Sequence, residues 1–157
     1  MQHPGASPLG KLEDYLGNHW LSDLSNFSAY VFHTLPGLNW CGFYLDDGKK
    51  LVLGPFQGKP ACVEIAYTRG VCGAAFTQQK TLIVPDVHEF PGHIACDSAS
   101  RSEMVVPLLI DGKCLGVFDL DSPELGRFGE PDKLLVENWQ THLLKRSTNL
   151  TFTPWKL

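Results

Sequence analysis

The chain has 157 residues, 43% of them hydrophobic and 19% charged, with 17 acidic against 13 basic residues for a formal charge of −4. That balance fits one globular domain, taken here as residues 1–157 with a core over about 10–145, and no basic run invites nucleic acid. No apolar stretch approaches the ~18–20 residues of a membrane span, and Met1-Gln2-His3-Pro4-Gly5 does not open a signal peptide, so the expected compartment is cytoplasmic.

Residues 9–35 read as helical, since Leu12, Tyr15, Leu16, Trp20, Leu24, Phe27, Tyr30 and Val31 recur at three- and four-residue steps. Gly17-Asn18 and residues 22–26 are the candidate breaks, and Pro36-Gly37 ends the run. Residues 40–45 and 51–54 read as strands of a hairpin turning at residues 46–49. A loop over 54–60, a short strand over 61–66, a glycine-opened helix over 70–79 and a strand over 81–84 follow. Residues 87–101 have little periodicity and form the long irregular loop of the chain, of a length that is uncommon without a role. Residues 103–110 and 113–120 read as strands around an Asp111-Gly112 turn. Residues 131–145 form the closing helix, with Pro131 near its start and Leu134, Leu135, Trp139, Leu143 and Leu144 assigned to its buried face. The expected fold is α+β: a central antiparallel sheet with helices packed mainly on one side. The tail over 149–157 carries Phe152, Pro154 and Trp155 and suggests docking.

Five cysteines, an odd number, are Cys41, Cys62, Cys72, Cys96 and Cys114. In a reducing cytosol they favour catalytic, redox or metal roles over a disulfide framework. No Cys-x-x-Cys occurs, which removes the common zinc-ribbon and thioredoxin patterns. Cys96, in the irregular loop, is the best nucleophile candidate; His93, Arg101 or backbone N–H groups favour its thiolate and Asp97 opposes it. The bland alternative is an ordinary half-buried cysteine. Cys72, in Gly70-Val71-Cys72-Gly73, sits where a helix dipole would lower its pKa, and packing is the competing explanation. Cys41 and Cys114 lie in apolar strands and read as core.

In Val117-Phe118-Asp119-Leu120-Asp121 a period of two puts Asp119 and Asp121 on one face. They are either a solvated strand end or a pocket for a cationic group such as an ammonium. Glu103 opens the preceding strand. A plain two-residue turn at Asp111-Gly112 would pair Met104 with Asp119 and Glu103 with Leu120, placing Glu103 on the opposite face; convergence then requires a bulge or a longer turn. Trp40 and Tyr44 share a face of the first strand and serve either a pocket wall or the core.

Together these segments resemble the free methionine-(R)-sulfoxide reductases, a GAF-domain family. The matching stretches include Trp40-Cys41-Gly42-Phe43-Tyr44, Gly54-Pro55-Phe56-Gln57-Gly58-Lys59-Pro60-Ala61-Cys62, Gly70-Val71-Cys72-Gly73 and Gly116-Val117-Phe118-Asp119-Leu120-Asp121-Ser122-Pro123. The most specific runs from His93-Ile94-Ala95-Cys96 through Asp97-Ser98-Ala99-Ser100-Arg101 to Ser102-Glu103-Met104-Val105-Val106-Pro107. The resemblance covers about residues 10–145. It departs at Cys41, where the family more often has a small residue.

The resemblance implies that Cys96 is the catalytic cysteine and Cys62 its resolving partner, with Cys72 an alternative or auxiliary resolver. It implies that Glu103, Asp119 and Asp121 line the substrate site, with Asp86 joining the acidic set, and that Trp40 and Tyr44 border the substrate methyl group. It also implies a homodimer recycled by a thioredoxin-like reductant. No metal and no organic cofactor is expected. The expected chemistry is attack by a Cys96 thiolate on the sulfoxide sulfur, protonation of the oxygen by Glu103, and a sulfenic acid that condenses to a disulfide. The rival readings are a small-molecule binding module, a peroxide-sensing thiol protein, and a zinc site of Cys62, Cys72, Cys96 and His93.

Overall fold

The computed structural model describes residues 8–93 and 98–147, so Cys96 and the tail lie outside the described residues. Helix α1 (Trp20–Thr34) begins after a 3₁₀ turn at Leu12–Tyr15. The break between them falls at Gly17-Asn18, where Asn18 takes a φ of 63°. The second expected break does not occur, because Leu24, Phe27, Ser28 and Val31 form one continuous buried face. Strands β1 (Trp40–Asp46), β2 (Leu51–Gln57), β3 (Glu64–Ile65), β4 (Leu82–Val84), β5 (Ser102–Ile110) and β6 (Lys113–Ser122) form one antiparallel sheet in the order β3-β2-β1-β6-β5-β4. Helix α2 (Gly70–Gln78) precedes β4, and α3 (Glu130–Arg146) closes the fold.

Both faces of the central strands are covered, which explains why β1 is an unbroken apolar run instead of an alternating one. Cys41, Phe43 and Leu45 point to the face covered by α1 and α3, together with Met104, Val106, Leu108, Phe118 and Leu120. Trp40, Tyr44, Val105 and Val117 point to the other, where α2 packs. Two of the three helices therefore lie on one side, as expected of this α+β fold. On α3 the buried face is Val136, Trp139, Gln140 and Leu143, while Leu134 is 57% exposed. The terminal segments are joined at Asp23, whose carboxylate accepts the Gly17 N–H at 2.7 Å and the Ser147 hydroxyl.

Two bulges depart from simple strand reading. Strand β2 runs past Gly54 to Gln57, because Gly54 and Pro55 both face Phe43 at a register shift. A bulge tolerates the missing proline N–H, and the Pro55 carbonyl accepts the Ser28 hydroxyl at 3.1 Å. The second bulge is in β6. The Asp111-Gly112 turn is tight, with φ of 49° and 76°, and pairs Ile110 with Lys113 as a two-residue hairpin should. Between Pro107 and Leu109 the register shifts, with three steps taken from Cys114 to Val117 against two on β5. Gly116 sits at this shift. A Cβ there would lie 2.3 Å from the Tyr44 carbonyl oxygen, so only glycine permits this approach of β6 to β1.

Candidate active site

The β6 bulge moves every residue beyond it by one position. Glu103 consequently faces Asp121, and Val105 faces Asp119, in place of the expected Glu103–Leu120 and Met104–Asp119 pairs. Because β1 pairs Trp40 with Asp121 and Gly42 with Asp119, a row across three strands reads Glu103, Asp121, Trp40. Cross-strand partners share a sheet face, so all three acids and the tryptophan look the same way, toward α2. The cavity they line is completed by Tyr44, Pro60, Ala61, Ile65, Arg69, Gly70, Val71, Cys72, His93 and Ser100.

The aromatic wall is built from alternate residues of β1. Trp40 stacks on Tyr44 at 5.9 Å between ring centroids and on Phe56 at 5.4 Å. Gly42, between them, leaves this space open: a Cβ there would meet Phe56 Cβ at 2.3 Å and the Trp40 ring at 2.9 Å. The polar edges of the wall are anchored to the segment before β3. Trp40 Nε1 donates to the Lys59 carbonyl at 3.1 Å, and the Tyr44 hydroxyl donates to the Cys62 carbonyl at 2.8 Å. Cys62 itself is disulfide-bonded, whereas Cys41, Cys72 and Cys114 are free and buried.

The acidic floor is buried. One oxygen each of Glu103 and Asp119 and the Cys72 sulfur lie within 4.8 Å of one another. Burial first, then the Asp119 charge, raises the Glu103 pKa well above the usual carboxylate range. Asp119 is pushed up to about 8 by burial and by Asp121, while donation from Glu103 and Cys72 pulls the other way. Glu103 therefore holds a proton, and at neutral pH Asp119 holds one as well. Asp119 Oδ1 is buried with no hydrogen-bond partner.

Three expectations change here. Cys72 is near the start of α2, but its pKa is raised, not lowered: burial dominates the helix dipole, and the charges of Asp119, Glu103 and Asp121 add to it. Asp86 is not among the described residues lining the cavity. Its carboxylate accepts the His88 N–H at 3.0 Å and pairs with the His88 ring at 3.1 Å, capping a 3₁₀ turn at Val87–Glu89. His93 does line the cavity, but burial and His88 hold its pKa below the ordinary value, so its ring is a poor cationic partner for a thiolate at neutral pH.

The sequence did not single out Arg69, Ile65 or Ser100 as lining residues. Arg69 directly precedes the Gly70-Val71-Cys72 motif, and Ser100 lies in the loop motif, where its hydroxyl accepts the Asn39 side-chain N–H at 3.1 Å. Adjacency to those motifs was the available signal. The loop is also tied to α2, since the Gly70 N–H donates to the Gly92 carbonyl at 3.2 Å.

The GAF domain family model matches residues 26–138. Free methionine-R-sulfoxide reductase of Escherichia coli is 50% identical over 114 residues, covering 73% of this chain and 69% of that protein. The chain belongs to the free methionine-R-sulfoxide reductase family of GAF domains. The family protein of that name from Saccharomyces cerevisiae is 46% identical over 127 residues, covering 76% of this chain and 71% of its own. Among solved structures, free methionine-R-sulfoxide reductase of Neisseria meningitidis in complex with its substrate superposes with a TM-score of 0.83 at 44% identity, covering 87% of this chain and 84% of that one. No helix among the described residues is long and apolar enough to cross a membrane.

Proposed function

We propose that this chain reduces free methionine-(R)-sulfoxide to methionine, as its family relatives are named for doing. The observation that carries the reading is the bulge-driven convergence of Glu103, Asp119 and Asp121 beside the Trp40–Tyr44 wall. The substrate is a zwitterion with a polar sulfoxide and an apolar methyl group. Asp119 and Asp121 neutralise its ammonium, N–H groups of the loop over 87–101 take its carboxylate, and Trp40 and Tyr44 flank the methyl group.

The Cys96 thiolate attacks the sulfoxide sulfur while the Glu103 proton passes to the oxygen. The sulfoxide S–O bond breaks as the protonated oxygen passes to the Cys96 sulfur, the S–S bond formed by the attack breaks with its electron pair going to the departing methionine, and Cys96 becomes a sulfenic acid. Cys62 then condenses with it, releasing water and forming a disulfide. A thioredoxin-like dithiol restores both thiols by exchange. Two observations support Cys62 as resolver over Cys72: Cys62 is in a disulfide, and Cys72 is a free, buried thiol among acids, poorly suited to ionise. The protein works as a single cytoplasmic domain, paired as a homodimer, with no metal or organic cofactor in the reaction.

The deciding experiment is turnover with reduced thioredoxin on separated R and S sulfoxides, free and within a peptide. Oxidation of thioredoxin by the free R form alone is expected. Equal activity on the peptide-bound form, or none on any form, overturns the reading; none would leave a ligand-binding module.

A further inference from the structure

We infer that Cys72, Glu103 and Asp119 form a site for a thiophilic divalent cation, Zn²⁺ or Cd²⁺, at the floor of the cavity. One thiol sulfur and two carboxyl oxygens already lie within 4.8 Å of one another, all three residues buried. Zn–S and Zn–O bonds of about 2.3 and 2.0–2.2 Å in a tetrahedron need ligands roughly 3.5 Å apart, so small side-chain rotations bring the three atoms onto one ion. Asp119 Oδ1 points independently to a missing partner, being buried with no hydrogen bond. The cavity leaves the fourth position open to water, and Asp121, two residues along β6 on the same face, adds a further negative charge.

The sulfur selects the class of ion. Mg²⁺ and Ca²⁺ prefer all-oxygen shells, whereas a thiolate with carboxylates suits Zn²⁺ and, more strongly, softer Cd²⁺. Binding forms one metal–sulfur and two metal–oxygen bonds and releases the protons held by Cys72, Glu103 and Asp119 to solvent. A zinc set that includes Cys62 is unavailable while Cys62 is in its disulfide. The bound ion occupies the place given to the substrate ammonium, so it competes with substrate; that consequence, unlike the site itself, rests on the proposed function.

The test is titration of the full-length oxidised protein with Cd²⁺, following the ultraviolet thiolate-to-cadmium charge-transfer band. One equivalent should bind. Cys72→Ser should abolish the band, while Cys114→Ser retains it. Asp119→Asn and Glu103→Gln should weaken binding by about ten-fold or more. Absence of a band, or a band that survives Cys72→Ser, overturns the site. Free methionine sulfoxide should raise the apparent Kd for Cd²⁺. If it does not, the ammonium role of Asp119 fails and the cation site stands.

Discussion

Glu103 on β5 lies directly across from Asp121 on β6, one position from where an unbroken hairpin would set it. The extra β6 residue at the register shift, beside Gly116, is what changes the face. Gly116→Ala brings a Cβ to 2.3 Å from the Tyr44 carbonyl oxygen, backbone that cannot swing aside. Thermal unfolding should show a destabilisation of about 1–3 kcal/mol, with activity falling further than stability explains, because the acids lose their alignment. An unchanged melting temperature would contradict the bulge assignment.

Glu103→Gln keeps the shape of the side chain and removes the transferable proton. The maximal rate should fall by about 10²–10⁴-fold with little change in KM. Steady-state kinetics on the free R sulfoxide separates the two parameters, and a KM effect alone would make Glu103 a binding group.

The buried Asp119 carboxyl has a folded pKa of about 8 against an ordinary value of 3.8. The folded state therefore holds a proton that the unfolded state has lost across that interval, and stability falls as pH rises from about 4 to 8. Asp119→Asn removes this loss. The variant should melt above the wild type at pH 8, with the difference shrinking toward pH 4, and its substrate affinity should drop. Melting curves across that pH range check the sign.

Cys96→Ser should abolish both turnover and sulfenic acid formation. Cys62→Ser should still release about one methionine per chain without reductant, since the resolving step follows product formation. Cys72→Ser should leave disulfide formation intact. Mass spectrometry of the cysteines after a single turnover distinguishes the three variants.

The Tyr44 hydroxyl holds the Cys62 carbonyl at 2.8 Å. Tyr44→Phe forfeits that bond, worth about 1 kcal/mol, and frees the Cys62 backbone. Disulfide formation after the first turnover should slow, while methionine release in that turnover is little altered. Rapid-quench kinetics resolves the two steps.

Much of the molecule was legible before folding. Apolar spacing placed α1 and α3, glycine and proline marked most turns, and the Asp119-x-Asp121 spacing put two acids on one face, because helix and strand periods are local properties. The family resemblance supplied the substrate. Tertiary structure decided the rest. Strand alternation carries no information about an inserted residue, so the side on which Glu103 falls depended on a bulge that Gly116 permits against β1. The direction of the Cys72 shift depended first on burial beneath the sheet face and then on acids 31 and 47 positions along the chain, brought beside it by sheet pairing. Asp86, an acid in a promising segment, was used locally to cap a turn. Residue types and spacing determined which groups were available; burial and cross-strand register, which are non-local, determined which of them meet and which keep their protons.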